Sequence, residues 1–226
     1  MSGFLVNGER LVPDISGAVF WPAAATLIIA DLHLEKGSAF AAKGQLLPPY
    51  DSASSLERLA DAAGRLKPKQ IISLGDSFHD GRAASRMAPS TAGFLTELTS
   101  AFPWIWIVGN HDPEPPGEFG GQILPELKAG PFLFRHEPSP GHVPGEIAGH
   151  LHPCATVVVK GRKMRRRCFA TDGTRVVLPA FGAFTGGLDV LDVAFATLLR
   201  PDFHAWMIGR DQVYPIASRR LISEAA

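Results

Sequence analysis

The chain has 226 residues, 46% hydrophobic and 19% charged, with Lys plus Arg equal to Asp plus Glu at 22 each. That composition supports a substantial core and excludes a disordered chain, and the balanced charge offers no overall field to recruit a polyanion. Two cysteines make no disulfide framework, the opening residues carry no secretory pattern, and no apolar run nears the roughly 18 residues that span a bilayer. A cytoplasmic protein without membrane contact is expected.

In chain order, Phe4 to Val12 reads as a hairpin turning at Asn7-Gly8. Ala18 to Trp21 and Thr26 to Ala30 read as strands. A helix is predicted from Asp51 to about Lys67, where Leu56, Leu59, Ala60, Ala63 and Leu66 recur at helical spacing and Lys67-Pro68 ends the run. Gln70 to Leu74 is the next buried strand, followed by a helix from about Pro89 to Ala101 and a strand from Trp104 to Val108. Trp104 and Trp106 alternate with Ile105 and Ile107, as strand residues do. This β-α-β-α-β order implies a parallel sheet covered by helices. Residues 113–145 are rich in Pro and Gly and read as loop, apart from a strand from Phe132 to Arg135. From Glu146 onward the pattern is strand and hairpin with little helix. The expected architecture is one α/β domain over residues 1–226, a four-layer α/β/β/α sandwich of two mixed sheets with outer helices.

Five apolar runs end abruptly in metal-capable residues. TLIIA meets Asp31-Leu32-His33, IISLG meets Asp76, and WIWIVG meets Asn110-His111-Asp112. PFLFR meets His136, and GEIAG meets His150-Leu151-His152. Repeated stops of this kind suggest ligands converging from the carboxyl ends of neighbouring strands, where open α/β sheets build their sites. Asp31 and His33, at i and i+2, share one side if the segment is extended, as do His150 and His152. The donors are oxygen and nitrogen without thiolate, which suits Mn, Fe or Zn. Two carboxylates carry −2 against +4 from two divalent cations, leaving +2 to hold a phosphodiester anion and a hydroxide. Asp76, alone between two half-sites, is placed to bridge. His111 is poorly placed to share Asn110's metal, so its imidazole is available for proton transfer.

Asp31-x-His33, Gly75-Asp76, Gly109-Asn110-His111-Asp112 and Gly149-His150-x-His152, with His136 between the last two, resemble the calcineurin-like metallophosphoesterase superfamily. Asp31 to Gly37, Gly75 to His79, His136-Glu137-Pro138, Gly149 to Pro153 and Leu178 to Gly187 are more closely similar to the DNA-ligase-associated metallophosphoesterases. The basic segment Met164 to Phe169 departs from that pattern. The resemblance implies a phosphodiesterase or DNA endonuclease of DNA repair, working with two Mn2+ ions (Fe or Zn as alternatives) beside a ligase, a helicase and a nuclease. It implies Asp31, His33, Asp76 and His152 on one metal and Asp76, Asn110, His136 and His150 on the other. A metal-activated hydroxide would attack, His111 would protonate the leaving oxygen, and Asp112 would orient the His111 ring. Single-stranded DNA is the expected substrate. The rivals are a hydrolase of small phosphodiesters or nucleotide pyrophosphates, and a catalytically inert protein-binding scaffold.

Outside the shell, His79 reads as either structural or substrate-facing. The run Lys160 to Arg167 reads as a hairpin centred on Gly161, pairing Cys154 with Cys168 and placing Lys163, Arg165 and Arg167 on one face. Those three are candidate phosphate-backbone contacts against the alternative of a solvated hairpin.

Overall fold

In the computed structural model, which describes residues 2–223, Asn7 and Gly8 take φ of 50° and 85°. Positive φ at both positions is what a two-residue type I′ turn requires, so β1 (Phe4–Val6) folds straight back as β2 (Glu9–Pro13). The meander continues antiparallel through β3 (Val19–Trp21) to β4 (Thr26–Ile29). From there β5 (Gln70–Leu74), β6 (Trp104–Ile107) and β7 (Gln122–Leu124) add in parallel, giving a seven-stranded sheet in sequence order.

The connections are helical: α1 (Lys36–Ala41) and α2 (Asp51–Leu66) before β5, and α3 (Ala83–Arg86) and α4 (Pro89–Ala101) before β6. Lys67, at φ 48°, ends α2 by donating its amide to the Ala63 carbonyl, and Pro68 follows. The central strands are apolar throughout because both faces are covered. Leu27, Ile29, Ile71, Trp104 and Trp106 pack with Leu56, Leu59, Leu95 and Leu98 of α2 and α4. Ile28, Ala30, Ile72, Leu74 and Ile107 instead meet Phe132, Phe134, Ile147, Phe169, Val176 and Leu178 of a second sheet.

That second sheet contains β8 (Leu127–Ala129), β9 (Phe132–Phe134), β10 (Glu146–Ala148), β11 (Pro153–Val159), β12 (Arg162–Thr171) and β13 (Val176–Val177). β14 (Leu188–Asp189), β15 (His204–Ile208) and β16 (Val213–Ala217) complete it. Its order is β14-β11-β12-β13-β10-β9-β8, with β15 on β12 and β16 on β15. Its outer layer is thin, a single-turn helix α5 (Val193–Ala196) with Leu198, Leu199 and Phe203 packed over Ala170, Val177 and Met207. Two mixed sheets face to face with helices outside is the architecture expected. No helix among the described residues is long and apolar enough to cross a membrane.

Four short elements, α1, α3, β7 and β8, were not anticipated; each is too brief to show a period, and β7 and β8 lie in the Pro/Gly-rich stretch. The β11–β12 hairpin differs from expectation by one register step. Lys160 and Gly161 both have positive φ and form a two-residue turn, so Val159 pairs with Arg162 and Cys154 with Arg167. Cys168 pairs instead with Met207 of β15, and neither cysteine forms a disulfide. Burial pushes the Cys168 thiol well above its usual range.

Candidate metal centre

β4, β5 and β6 stop at Ile29, Leu74 and Ile107, and β9 and β10 at Phe134 and Ala148, all at one end of the sandwich. Asp31, His33, Asp76 and Asn110 therefore come from the first sheet, and His136, His150 and His152 from the second. The loops after β4 and β5 stay in register beyond their strands. Asp31, His33 and Leu34 donate their amides to the carbonyls of Gly75, Asp76 and Ser77 at 3.2, 2.8 and 2.9 Å.

This segment is not extended, contrary to the expectation for Asp31-x-His33 and His150-x-His152. Asp31, His33, Asp76, His150 and His152 have φ of 55°, 44°, 47°, 70° and 48°. Left-handed backbone costs a non-glycine residue about 1–2 kcal/mol, so the strain is concentrated on the candidate ligands. Alternating left-handed residues turn the side chains inward where a simple strand would carry them past. Close approach is the second requirement. A Cβ on Gly75 would lie 2.5 Å from His136 Cγ, and one on Gly149 would lie 2.5 Å from Asp31 Oδ2.

The donors form two clusters. In the first, His33 Nε2 and His152 Nε2 are 3.4 Å apart, and Asp31 Oδ1 lies 3.3 Å from His152 Nε2. In the second, His136 Nε2 lies 2.9 Å from Asn110 Oδ1 and 3.1 Å from His150 Nδ1. Asp76 spans them, with Oδ2 3.8 Å from His33 Nε2 and Oδ1 3.4 Å from His136 Nε2. Two pairs of imidazole nitrogens facing each other among carboxylates is the arrangement a cation resolves, so the residues fit divalent metals. Their surroundings prepare them. His136 Nδ1 donates to the Leu74 carbonyl at 2.9 Å, which leaves Nε2 as its ligand atom.

The electrostatics agree. Burial holds the His33 imidazole down to about 3, so it stands neutral and able to ligate. Burial pushes Asp76 upward, but His136, the His111 amide and His33 outweigh it and hold the carboxyl at about 2. Burial likewise opposes charge on His136, yet Asp76 and Asp31 raise it to about 9.

His111 is exposed beside the first cluster, its ring T-shaped against His33 with centroids 5.2 Å apart. His79 stacks on it, also at 5.2 Å, and donor atoms of His33, His79 and His111 converge as a further cluster. Asp112 does not orient the His111 ring. Its Oδ2 accepts from the amides of Ser77 and Phe78 at 2.8 and 3.1 Å, pinning the turn after Asp76, and burial pushes its carboxyl up to about 7. The side chain of residue 112 starts a peptide away from residue 111, and the carboxylate turns inward to the amides.

Sequence reasoning missed a supporting layer. Glu35 is buried and accepts from Ser52 Oγ at 2.8 Å, while Asp51 accepts from the Gly37 amide at 2.8 Å, tying α1 to the start of α2. The 180–187 segment also backs the site. Phe181 and Gly182 donate to the carbonyls of Ala30 and Asp31 at 2.7 and 3.0 Å. Of the candidate substrate residues, Lys163 is exposed toward the hairpin tip. Arg165 and Arg167 turn onto the carbonyls of Gly187 and Ala180 at 2.5 and 2.8 Å.

The calcineurin-like phosphoesterase family matches residues 25–169, a span holding every candidate ligand. The chain belongs to that family. It is similar to the crystal structure of the nuclease MPE of Pseudomonas putida at 30% identity and TM-score 0.73, covering 95% of this chain and 99% of that one. This agrees with the DNA-ligase-associated resemblance. YfcE, a phosphoesterase from E. coli, aligns at 14% identity and TM-score 0.43, covering 85% of this chain and 98% of that one. A comparison with curated proteins finds no match. As a calcineurin-like phosphoesterase this chain is a metal-dependent enzyme.

Proposed function

We propose that this phosphoesterase is a dinuclear-metal phosphodiesterase that cuts DNA, preferentially single-stranded, in cytoplasmic DNA repair. The observation that carries the dinuclear reading is Asp76, whose two carboxylate oxygens face different donor clusters. Asp31, His33, Asp76 and His152 would hold one cation, and Asp76, Asn110, His136 and His150 the other. Mn2+ suits this thiolate-free set of oxygen and nitrogen donors. Two bound divalent cations supply Lewis acidity toward the phosphoryl oxygens and lower the pKa of water.

The chain's own residues do the rest. His111 Nδ1 donates to the His79 carbonyl at 3.0 Å, leaving Nε2 as the nitrogen that delivers a proton to the departing oxygen. His79 holds that ring through its carbonyl and its stacked imidazole. Asp112 fixes the backbone that carries Asp76. The similarity to a nuclease supports nucleic acid over a small diester. The DNA-ligase-associated resemblance supports work beside a ligase, a helicase and a nuclease. Incubation of the Mn2+-loaded protein with circular single-stranded DNA, beside a bis-nitrophenyl phosphate, tests the reading. Linearised circles are expected; hydrolysis of the small diester with intact circles would overturn it.

A further inference from the structure

One end of the basic hairpin does not behave as a solvated tip. β15 stops following β12 at Met207–Cys168, and beyond that point the strands part around a cavity of about 490 Å³. Arg165, Arg166, Arg167 and Arg210 line it with Thr185 and Cys154, and no carboxylate is among its lining residues. For a chain with no net charge, that is a strong local excess of one sign.

Behind this wall a second observation points the same way. Arg58 of α2 donates to the Phe181 carbonyl, and Arg167 of β12 donates to the adjacent Ala180 carbonyl at 2.8 Å. Two guanidiniums thus converge on consecutive peptides. Arg58 Nε is buried without a hydrogen-bond partner, and burial first, then the Arg167 charge, weighs against the charge on Arg58. Carbonyl dipoles partly satisfy such a pair, whereas a bound anion would neutralise it.

One wall of the cavity adjoins the backbone that carries candidate ligand His152. Leu188 donates its amide to the His152 carbonyl at 3.1 Å, and a Cβ on Gly187 would fall 2.6 Å from that oxygen and 2.3 Å from Cys154 Sγ. Cys154, in the cavity wall, is two residues from candidate ligand His152.

We propose that this arginine-lined cavity binds a backbone phosphate of the single-stranded nucleic acid whose neighbouring phosphate is cut at the metal centre. The inference rests on the nuclease reading and adds to it a second anchoring point on the strand. It brings in Arg166 and Arg210 and leaves Lys163 outside, with Arg58 behind the wall rather than in it.

Arg166→Ser/Arg210→Ser tests it, because both side chains are exposed and neither holds the 180–187 segment. Metal content and melting temperature report whether the variant is intact. Binding of a phosphorothioate dodecanucleotide to metal-loaded protein is measured against salt. The double variant should flatten the log–log slope by about 1.4, roughly 0.7 per lost contact on a single strand. An unchanged slope in an intact variant would overturn the proposal. So would loss of inorganic phosphate binding with the oligonucleotide slope unchanged, which would mark a pocket for small anions. Strand cleavage reports separately on the nuclease reading: binding with a flattened slope but no cut circles would sink that reading and leave the cavity standing.

Discussion

The His111 ring is tethered to the carbonyl of His79, its Nδ1 3.0 Å from that oxygen. A carbonyl only accepts, so Nδ1 carries the proton and Nε2 is left with its lone pair or a second proton. The same tether on His136 leaves a ligand nitrogen, so the tautomer fits a proton donor and a ligand alike, and the metal content of a variant separates the two. His111→Ala should keep two metals per chain yet lose roughly 10²–10⁴ in rate on a diester with a poor alkoxide leaving group. The loss should shrink on nitrophenyl esters, whose leaving group needs little protonation. Equal losses on both substrates would contradict the role.

Asp76 joins the two donor clusters through different oxygens. Asp76→Ala should abolish hydrolysis and lower bound metal below two per chain, read by elemental analysis. A variant retaining two metals and substantial turnover would remove the bridge.

Gly75 has φ of 72° and presses against the His136 ring. Gly75→Ala adds strain of about 1–3 kcal/mol at a sparsely populated backbone conformation and pushes a methyl into an imidazole. The expected result is a lower melting temperature and loss mainly of the metal held by His136. Unchanged metal content and activity would show that the ring moves aside freely.

His136 is raised to about 9 by Asp76 and Asp31 against the opposing effect of burial. In the metal-free protein the proton on this ring favours folding. That contribution is complete below the unfolded value near 6.5 and fades as pH rises through about 9. A metal must displace the same proton. Titrating divalent metal into the apoprotein at pH 8 should release one proton more than His136→Ala releases, and that difference should vanish well above pH 9. Calorimetry in buffers of different ionisation enthalpy would measure it. Identical release by wild type and variant would assign the proton elsewhere.

The positions of the candidate donors were legible because each follows an apolar strand, and a buried strand announces where it stops by composition alone. Their conformation was not. Nothing in Asp31-Leu32-His33 distinguishes an extended segment from alternating left-handed residues, because that choice depends on hydrogen bonds to Gly75 and Asp76, more than forty positions away. Asp112 shows the same limit: a carboxylate next to His111 looks like its partner until the amides of Ser77 and Phe78 claim it. The hairpin slipped by one because Lys160 shares the turn with Gly161, and lysine carries no turn signal of its own. Arg58 gave no sign, since a helical arginine is ordinarily a solvated one.

The candidate donors come from both sheets, with Asp31, His33, Asp76 and Asn110 on one and His136, His150 and His152 on the other. Metal held by these residues would therefore act as a clasp on the sandwich as well as a catalyst. A ligand present at a hundred times its Kd adds about 2.7 kcal/mol to the folded state, and here that energy falls on a single edge of the seam between the sheets. The far edge, where apolar packing is joined by hydrogen bonds from Asn7 to the carbonyls of Gly173 and Pro131, does not depend on it. Chelation should make the protein gape from the catalytic end, with amide exchange rising first around residues 31–34 and 149–152 while the packed strands behind them stay protected.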